Sequence, residues 1–314
     1  MAPGSMRMIR RRKSGVAACF SASTLPSERS PQMRPHTGWV SFRSACGVVL
    51  LLARATPAPA QEAHVGNRTG HAKAGKPLYQ RYCVGCHGQD GDGNGENAAW
   101  IDPKPRDFTT PVFKCRSTPT GTLPTDADLF NAVTRGFVTT NMPPWRPLTE
   151  QNRVDLVAFI KTFSKRWQTA KPGAPLTVPP EPVLTIQGIL HGRELYQRME
   201  CWKCHGPAGH GDGPSAHDLT DNKDNPIRPY DFRSGTRFMC GETNQDLYRI
   251  FMTGLDGSPM PSFADQLKPA DGWDLVHFLR TLQPLQTREA AIWREWVATH
   301  GSELKPIGPE GGGR

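Results

Sequence analysis

Cys83-Val84-Gly85-Cys86-His87 and Cys201-Trp202-Lys203-Cys204-His205 each set two thiols three positions apart, with a histidine directly after the second. On one helical turn the two sulfurs share a side, where they reach the two vinyl groups of a porphyrin, and the histidine turns under the iron as proximal ligand. A redox dithiol has no use for that histidine, and zinc needs a second ligand pair that neither run supplies. Both runs are therefore expected to attach c-type haem. Cys83, Cys86, Cys201 and Cys204 are the covalent anchors, His87 and His205 are iron ligands, and the cofactors are two haems.

The two motifs belong to one unit written twice. Gly75-Lys76-Pro77-Leu78-Tyr79-Gln80-Arg81-Tyr82 before the first is answered by Gly192-Arg193-Glu194-Leu195-Tyr196-Gln197-Arg198-Met199 before the second, with one residue inserted. Further on, Arg106-Asp107-Phe108 is answered by Tyr230-Asp231-Phe232, Cys115 by Cys240, and Met142-Pro143 by Met260-Pro261. Val154-Asp155-Leu156-Val157-Ala158-Phe159 near the end of one unit matches Trp273-Asp274-Leu275-Val276-His277-Phe278 near the end of the other.

The elements that must position these residues are helical. Apolar residues at Val154, Val157, Ala158, Ile160 and Phe163 follow a helical period over 149–164, with Thr149-Glu150 as a start signal. Helices are also expected over Gly75–Tyr82, Gly192–Met199, Asp126–Arg135 and Asn244–Met252. The stretches between are rich in Gly and Pro and read as loops wrapped around a filler, since so small a core is marginal unaided. Five prolines in residues 169–182 make an extended, fairly stiff linker rather than a packed element. The expected organisation is a leader over 1–60, domains over 68–168 and 185–284 joined by the linker 169–184, and a helical tail over 285–314.

Several residues fall outside the haem motifs. Cys115 and Cys240, one per unit, are expected to be buried free thiols; a disulfide between the domains and thiolate ligation to iron are the alternatives, which spacing cannot separate. Asp90-Gly91-Asp92-Gly93-Asn94-Gly95 imitates the start of a calcium loop but has Ile101 where the closing glutamate belongs. The second unit keeps the glycines and not the ligands there, so the glycines are expected to carry backbone past the haem edge. His191, His210, His217 and His277 have no counterpart in the other unit, and none is assigned to iron.

The net charge of +9 over 314 residues is misleading. Residues 1–60 hold nine of the 38 Lys and Arg and only one of the 29 acids, which leaves 29 bases against 28 acids in the rest. No basic stripe remains for nucleic acid. The leader reads as an export signal: the apolar run Ala45–Ala53 follows Arg34 and Arg43 and precedes Ala58-Pro59-Ala60, a small-x-small cleavage pattern. Nine apolar residues are too few to span a bilayer, so no membrane span is expected after cleavage. Residues 1–32 fit no part of such a signal, and Met33 would be a more ordinary start.

Over roughly residues 70–283 each unit resembles a class I cytochrome c domain, and the whole resembles the tandem dihaem cytochromes of bacterial respiratory chains. The resemblance implies an all-α fold whose first and last helices cross beside the haem, with Gly75 and Gly192 at the crossings and Phe159 and Phe278 as partners. It implies Met142 and Met260 as the second axial ligands, each 55 residues after its histidine and each in a Met-Pro turn. A thioether ligand favours ferrous iron. The function implied is transfer of single electrons between redox protein donors and acceptors in the periplasm. The rivals are a haem enzyme, either a dihaem peroxidase or a thiosulfate-oxidising cytochrome, and a cytochrome subunit of a larger respiratory complex. For the last, Arg288–Trp296 would be a docking helix or would pack on its own domain.

Overall fold

A computed structural model describes residues 62–284 and 287–309. The leader readings, including Met33, the Ala45–Ala53 run and the Ala58-Pro59-Ala60 site, lie outside the described residues. Twelve regular elements follow in order: β1 (Glu62–Val65), β2 (Arg68–His71), α1 (Ala72–Tyr82), α2 (Val84–His87), α3 (Asp126–Arg135), α4 (Glu150–Lys161), α5 (Arg166–Thr169), α6 (Ile186–Arg198), α7 (Trp202–His205), α8 (Asn244–Thr253), α9 (Pro269–Leu282) and α10 (Arg288–His300). The fold is helix-dominated, as the sequence implies. A single antiparallel hairpin, β1 with β2, is added to it and lies on α4. Its four-residue strands are too short and polar for alternation to reveal them.

Each half is built around one helix crossing, α1 with α4 and α6 with α9. The small residues there are obligatory. A Cβ on Gly75 would stand 2.0 Å from the Asp155 carbonyl oxygen and 2.9 Å from Cβ of Phe159. On Gly192 it would stand 1.9 Å from the Asp274 carbonyl oxygen and 2.9 Å from Cβ of Phe278. Asp155 and Asp274, equivalent on the closing helices, also tie down the opening ones: Asp155 accepts from the His71 N–H at 2.8 Å, and Asp274 pairs with Nδ1 of His191 at 2.8 Å. His191 is thus engaged in a helix contact.

The third helix of each half starts on the same device. Thr125 and Thr243 cap α3 and α8 by accepting from the N–H of Asp128 and Asp246, whose carboxylates reach back to the cap N–H. Thr149 caps α4 as its sequence predicts, accepting from Asn152 N–H at 3.1 Å.

The halves are joined more tightly than two beads on a linker. Cys115 and Cys240 are not free thiols; they form a disulfide with Cα atoms 5.1 Å apart. The sequence expectation fails because bridging depends on how the halves pack, and equivalent cysteines meet where they face each other. Beside the bridge, Arg116, with a fully buried side chain, donates to the Thr253 carbonyl at 2.6 Å and pairs with Asp256 at 2.8 Å. Asp256 also accepts from the Thr120 hydroxyl and the Gly121 N–H. Lys223 of the second half pairs with Asp107 of the first.

The linker is extended and mostly exposed, as its prolines lead one to expect, but it is tied to the domains at several points. Pro172 bridges to Leu123, and Leu176 N–H donates to the Ser117 carbonyl at 2.7 Å. Leu176, Val178 and Leu184 then cover the second core. Glu181 ends the run in a polar clasp, accepting from Nε2 of buried His277 at 3.0 Å and from the Asn244 amide at 2.7 Å, with Glu289 alongside. The tail settles on its own half: Trp293 packs edge-on to Phe278, and Gln197 pairs twice with the backbone of Gly308.

Candidate haem sites

In both halves the attachment motif forms the short helix that follows the opening one. Cys83 closes α1 by donating its N–H to the Tyr79 carbonyl at 2.8 Å, and α2 brings Cys86 and His87 round one further turn. Cys201, Cys204 and His205 are arranged in the same way around α7. All four cysteines are unpaired thiols at intermediate exposure. Burial, reinforced by the neighbouring Cys86, pushes the Cys83 thiol up to about 12, and burial likewise pushes Cys201 up to about 12.

The histidines are aimed by the backbone. Nδ1 of His87 lies 2.9 Å from the Arg106 carbonyl, and Nδ1 of His205 lies 3.0 Å from the Tyr230 carbonyl. A carbonyl only accepts, so Nδ1 carries the proton and Nε2 keeps its lone pair for a metal. Burial holds both imidazoles below the usual histidine range, which favours the neutral, ligating form. Phe108 stacks on the His87 ring with centroids 4.6 Å apart, and Phe232 lies against His205 at 4.9 Å.

These partners give the Arg106-Asp107-Phe108 and Tyr230-Asp231-Phe232 repeats their role. The repeat was visible in the sequence; the role was not, because the first residue aims the histidine through its carbonyl rather than its side chain. The glycine-rich loops hold this arrangement. Gly93 and Gly211 donate to the His87 and His205 carbonyls at 2.9 and 2.8 Å, while Phe108 and Phe232 donate to the Gly91 and Gly209 carbonyls. A Cβ on Gly93, where φ is +83°, would lie 2.7 Å from the Pro105 carbonyl oxygen. What Gly93 lets approach is backbone of the same loop, and Gly91 makes room for the Phe163 ring. Asp92 turns its carboxylate onto the N–H and amide of Asn94, within its own loop.

Met142 and Met260 lie in matching turns. Gly136 and Gly254 end α3 and α8 with φ of +61° and +67°. Phe137 and Leu255 then donate their N–H to the Met142 and Met260 carbonyls at 3.0 and 3.1 Å. Thr140 and Ser258 hydroxyls accept from the two methionine N–H groups. Trp145 and Phe263 return the chain to the Val133 and Phe251 carbonyls on the helix just left.

In the first half a cavity of about 400 Å³ lies between these parts. Cys83, Cys86 and His87 bound it together with Met142, and Phe108, Val133, Leu156 and Ile160 are among its apolar walls. Two thiols, a nitrogen donor and a thioether around an apolar cavity fit a covalent haem with histidine and methionine on iron. Part of the wall comes from the other half: Asp221, Lys223, Ile227 and Met239 line the same cavity.

Residues 70–160 match the family described as cytochrome c oxidase, cbb3-type, subunit III, and residues 189–283 match the cytochrome c family. No curated protein matches the chain. Among solved structures, a chain of the reducing HAO-like protein complex of Kuenenia stuttgartiensis is similar at 41% identity and a TM-score of 0.65, over 67% of this chain and 96% of that one.

Proposed function

Because the chain belongs to the class I cytochromes c, as two such domains in tandem, we propose that it is a dihaem electron relay of the periplasm, loaded through Cys83 and Cys86 in one half and Cys201 and Cys204 in the other. A bound haem supplies an iron that takes up and gives back one electron. His87 and Met142 hold the first iron, and His205 and Met260 the second. The observation that carries this reading is the repetition of the whole apparatus: carbonyl to Nδ1, phenylalanine on imidazole and a hydrogen-bonded methionine turn, in both halves. A site built to bind substrate at iron needs one axial position left open. Here the two halves offer the same pair of donors.

The placement of the disulfide supports transfer between the two sites. Cys115 and Met239 both line the first cavity, and Phe238, next in sequence, packs against Tyr230 and Phe232 on the proximal side of His205. Covalent and van der Waals contact therefore runs from one site to the other. Cys115 and Cys240, the residues that would lend a thiolate to an enzyme, are engaged with each other. The likeness to a component of the HAO-like complex favours work as a subunit of a larger redox assembly. Among the described residues no helix is long and apolar enough to cross a membrane.

Optical and electron paramagnetic resonance spectra of the ferric protein test the proposal. Two low-spin irons with the methionine-to-iron charge-transfer band are expected, and Met142→Ala should remove that band from one haem and leave the other. A high-spin or thiolate signal accompanied by peroxide turnover would overturn it.

A further inference from the structure

The first cavity carries two cations that make no direct polar contact within the described residues. Arg106 and Lys114 both line it, and among the described residues neither side chain has a hydrogen-bond or ion-pair partner. Burial lowers the proton affinity of both and the nearby Arg106 charge lowers that of Lys114 further, while Asp221 offsets part of the cost at both and Asp107 part of it at Arg106, so two like charges stand together half-buried on one wall. Of the other charged groups around the cavity, Asp102 is exposed to solvent and the rest are engaged elsewhere. Lys104 donates to the Ala98 and Ala99 carbonyls. Asp107 accepts from Lys223 and Thr109. Asp221 accepts from the Lys223 N–H and from Asn225. Two half-buried cations without a direct partner on one cavity wall suit a dianion, and the group that fits this cavity carries two carboxylates, its propionates.

The second half is not built this way. Tyr230 stands where Arg106 does, and Met239 stands where Lys114 does. The Tyr230 hydroxyl donates to the Thr236 carbonyl. Arg280, packed over Phe238, spends its donors on Asn244, Gln283 and the Glu242 carbonyl, with Glu289, Glu181 and Glu242 as counter-charges.

We infer that Arg106 and Lys114 hold the propionates of the first haem, under a roof supplied by the Asp221–Ile227 segment of the second half, and that the two halves thereby differ in redox potential. With the same donors at both irons, the difference lies in the surrounding charge. Ferric iron carries one positive charge more than ferrous, so cations at the first site favour the ferrous form and raise its potential above that of the second. An electron entering at the second haem would then move to the first across the Cys115–Cys240 contact. Arg106 and Lys114 act here as positioning and tuning residues.

The inference rests on the dihaem reading, and its test separates the two. Potentiometric titration of the full haem-loaded chain, followed optically, should resolve two one-electron steps. Met142→His replaces the thioether with a less electron-withdrawing ligand, so the step it lowers identifies the first haem; the upper step is expected to be that one. Lys114→Gln should lower the same step by about tenfold in its equilibrium constant, about 59 mV for one electron, and leave the other in place. Lys114→Arg should restore the wild-type value, and Arg106→Gln should act in the same direction as Lys114→Gln. If Lys114→Gln moves neither step, moves both alike, or if Met142→His marks the lower step as the first haem, the inference is wrong while the dihaem reading stands. If the wild-type spectra lack two methionine-ligated low-spin haems, the dihaem reading itself has failed.

Discussion

At the scale of single residues, each haem site depends on groups that never touch iron. Phe108 is buried against the His87 ring and joins the core formed with Tyr79, Val133, Leu156 and Ile160. Phe108→Ala removes that filler and the plane against which the imidazole rests. It should cost about 3–5 kcal/mol in guanidinium unfolding, with Phe108→Leu losing much less. The attachment residues were legible from type and spacing because two thiols and a histidine in that order serve little else. The Arg106 and Tyr230 carbonyls were not legible, since a backbone acceptor leaves no mark in the sequence.

At the scale of elements, the helix crossings decide whether a cavity exists to be filled. In an ordinary helix interior, replacing glycine with alanine stabilises by about 1 kcal/mol. At Gly75 the sign should reverse. The added methyl would stand 2.0 Å from the Asp155 carbonyl oxygen, and backbone cannot step aside cheaply. Gly75→Ala is expected to destabilise by about 1–3 kcal/mol as α1 is pushed off α4, and Gly192→Ala should do the same to α6 and α9, both measured by chemical denaturation. The helix over 149–164 was readable in advance because its 3.6-residue period and the start signal at Thr149 are local, whereas the Thr125 and Thr243 caps emerged from the structure. The hairpin of residues 62–71 was missed because its strands are short and it is held by Gly70 lying close on Val154, a contact 84 residues away in sequence.

At the scale of the whole molecule, the two halves are one folding partnership. Replacing both Cys115 and Cys240 with serine should cost about 2–5 kcal/mol while leaving both haems attached, and should split a single unfolding transition into two. The pair formed by Asp107 and Lys223 adds an acid-sensitive contact. Burial alone would raise the Asp107 carboxyl, but the Lys223 ammonium and the Thr109 hydroxyl and N–H pull it from 3.8 down to about 2. A carboxyl lowered by folding contributes stability above its unfolded value and loses it as pH falls through its folded one. The melting temperature of the wild type should therefore exceed that of Asp107→Asn above pH 4, and the gap should close between about pH 4 and pH 2.

What the sequence by itself determined is whatever short-range chemistry encodes: the doubled attachment motif, the helical periods, the methionine turns and the near-neutral charge outside residues 1–60. What only the tertiary structure decided is how two copies of one unit meet. Cys115 and Cys240 sit 125 residues apart and bond because the halves pack face to face. The same packing places Lys223 and Met239 in the wall of the other half's cavity. A repeat announces that two surfaces are alike, but which of them are pressed together depends on contacts summed over both folds, and no spacing in the chain records that sum.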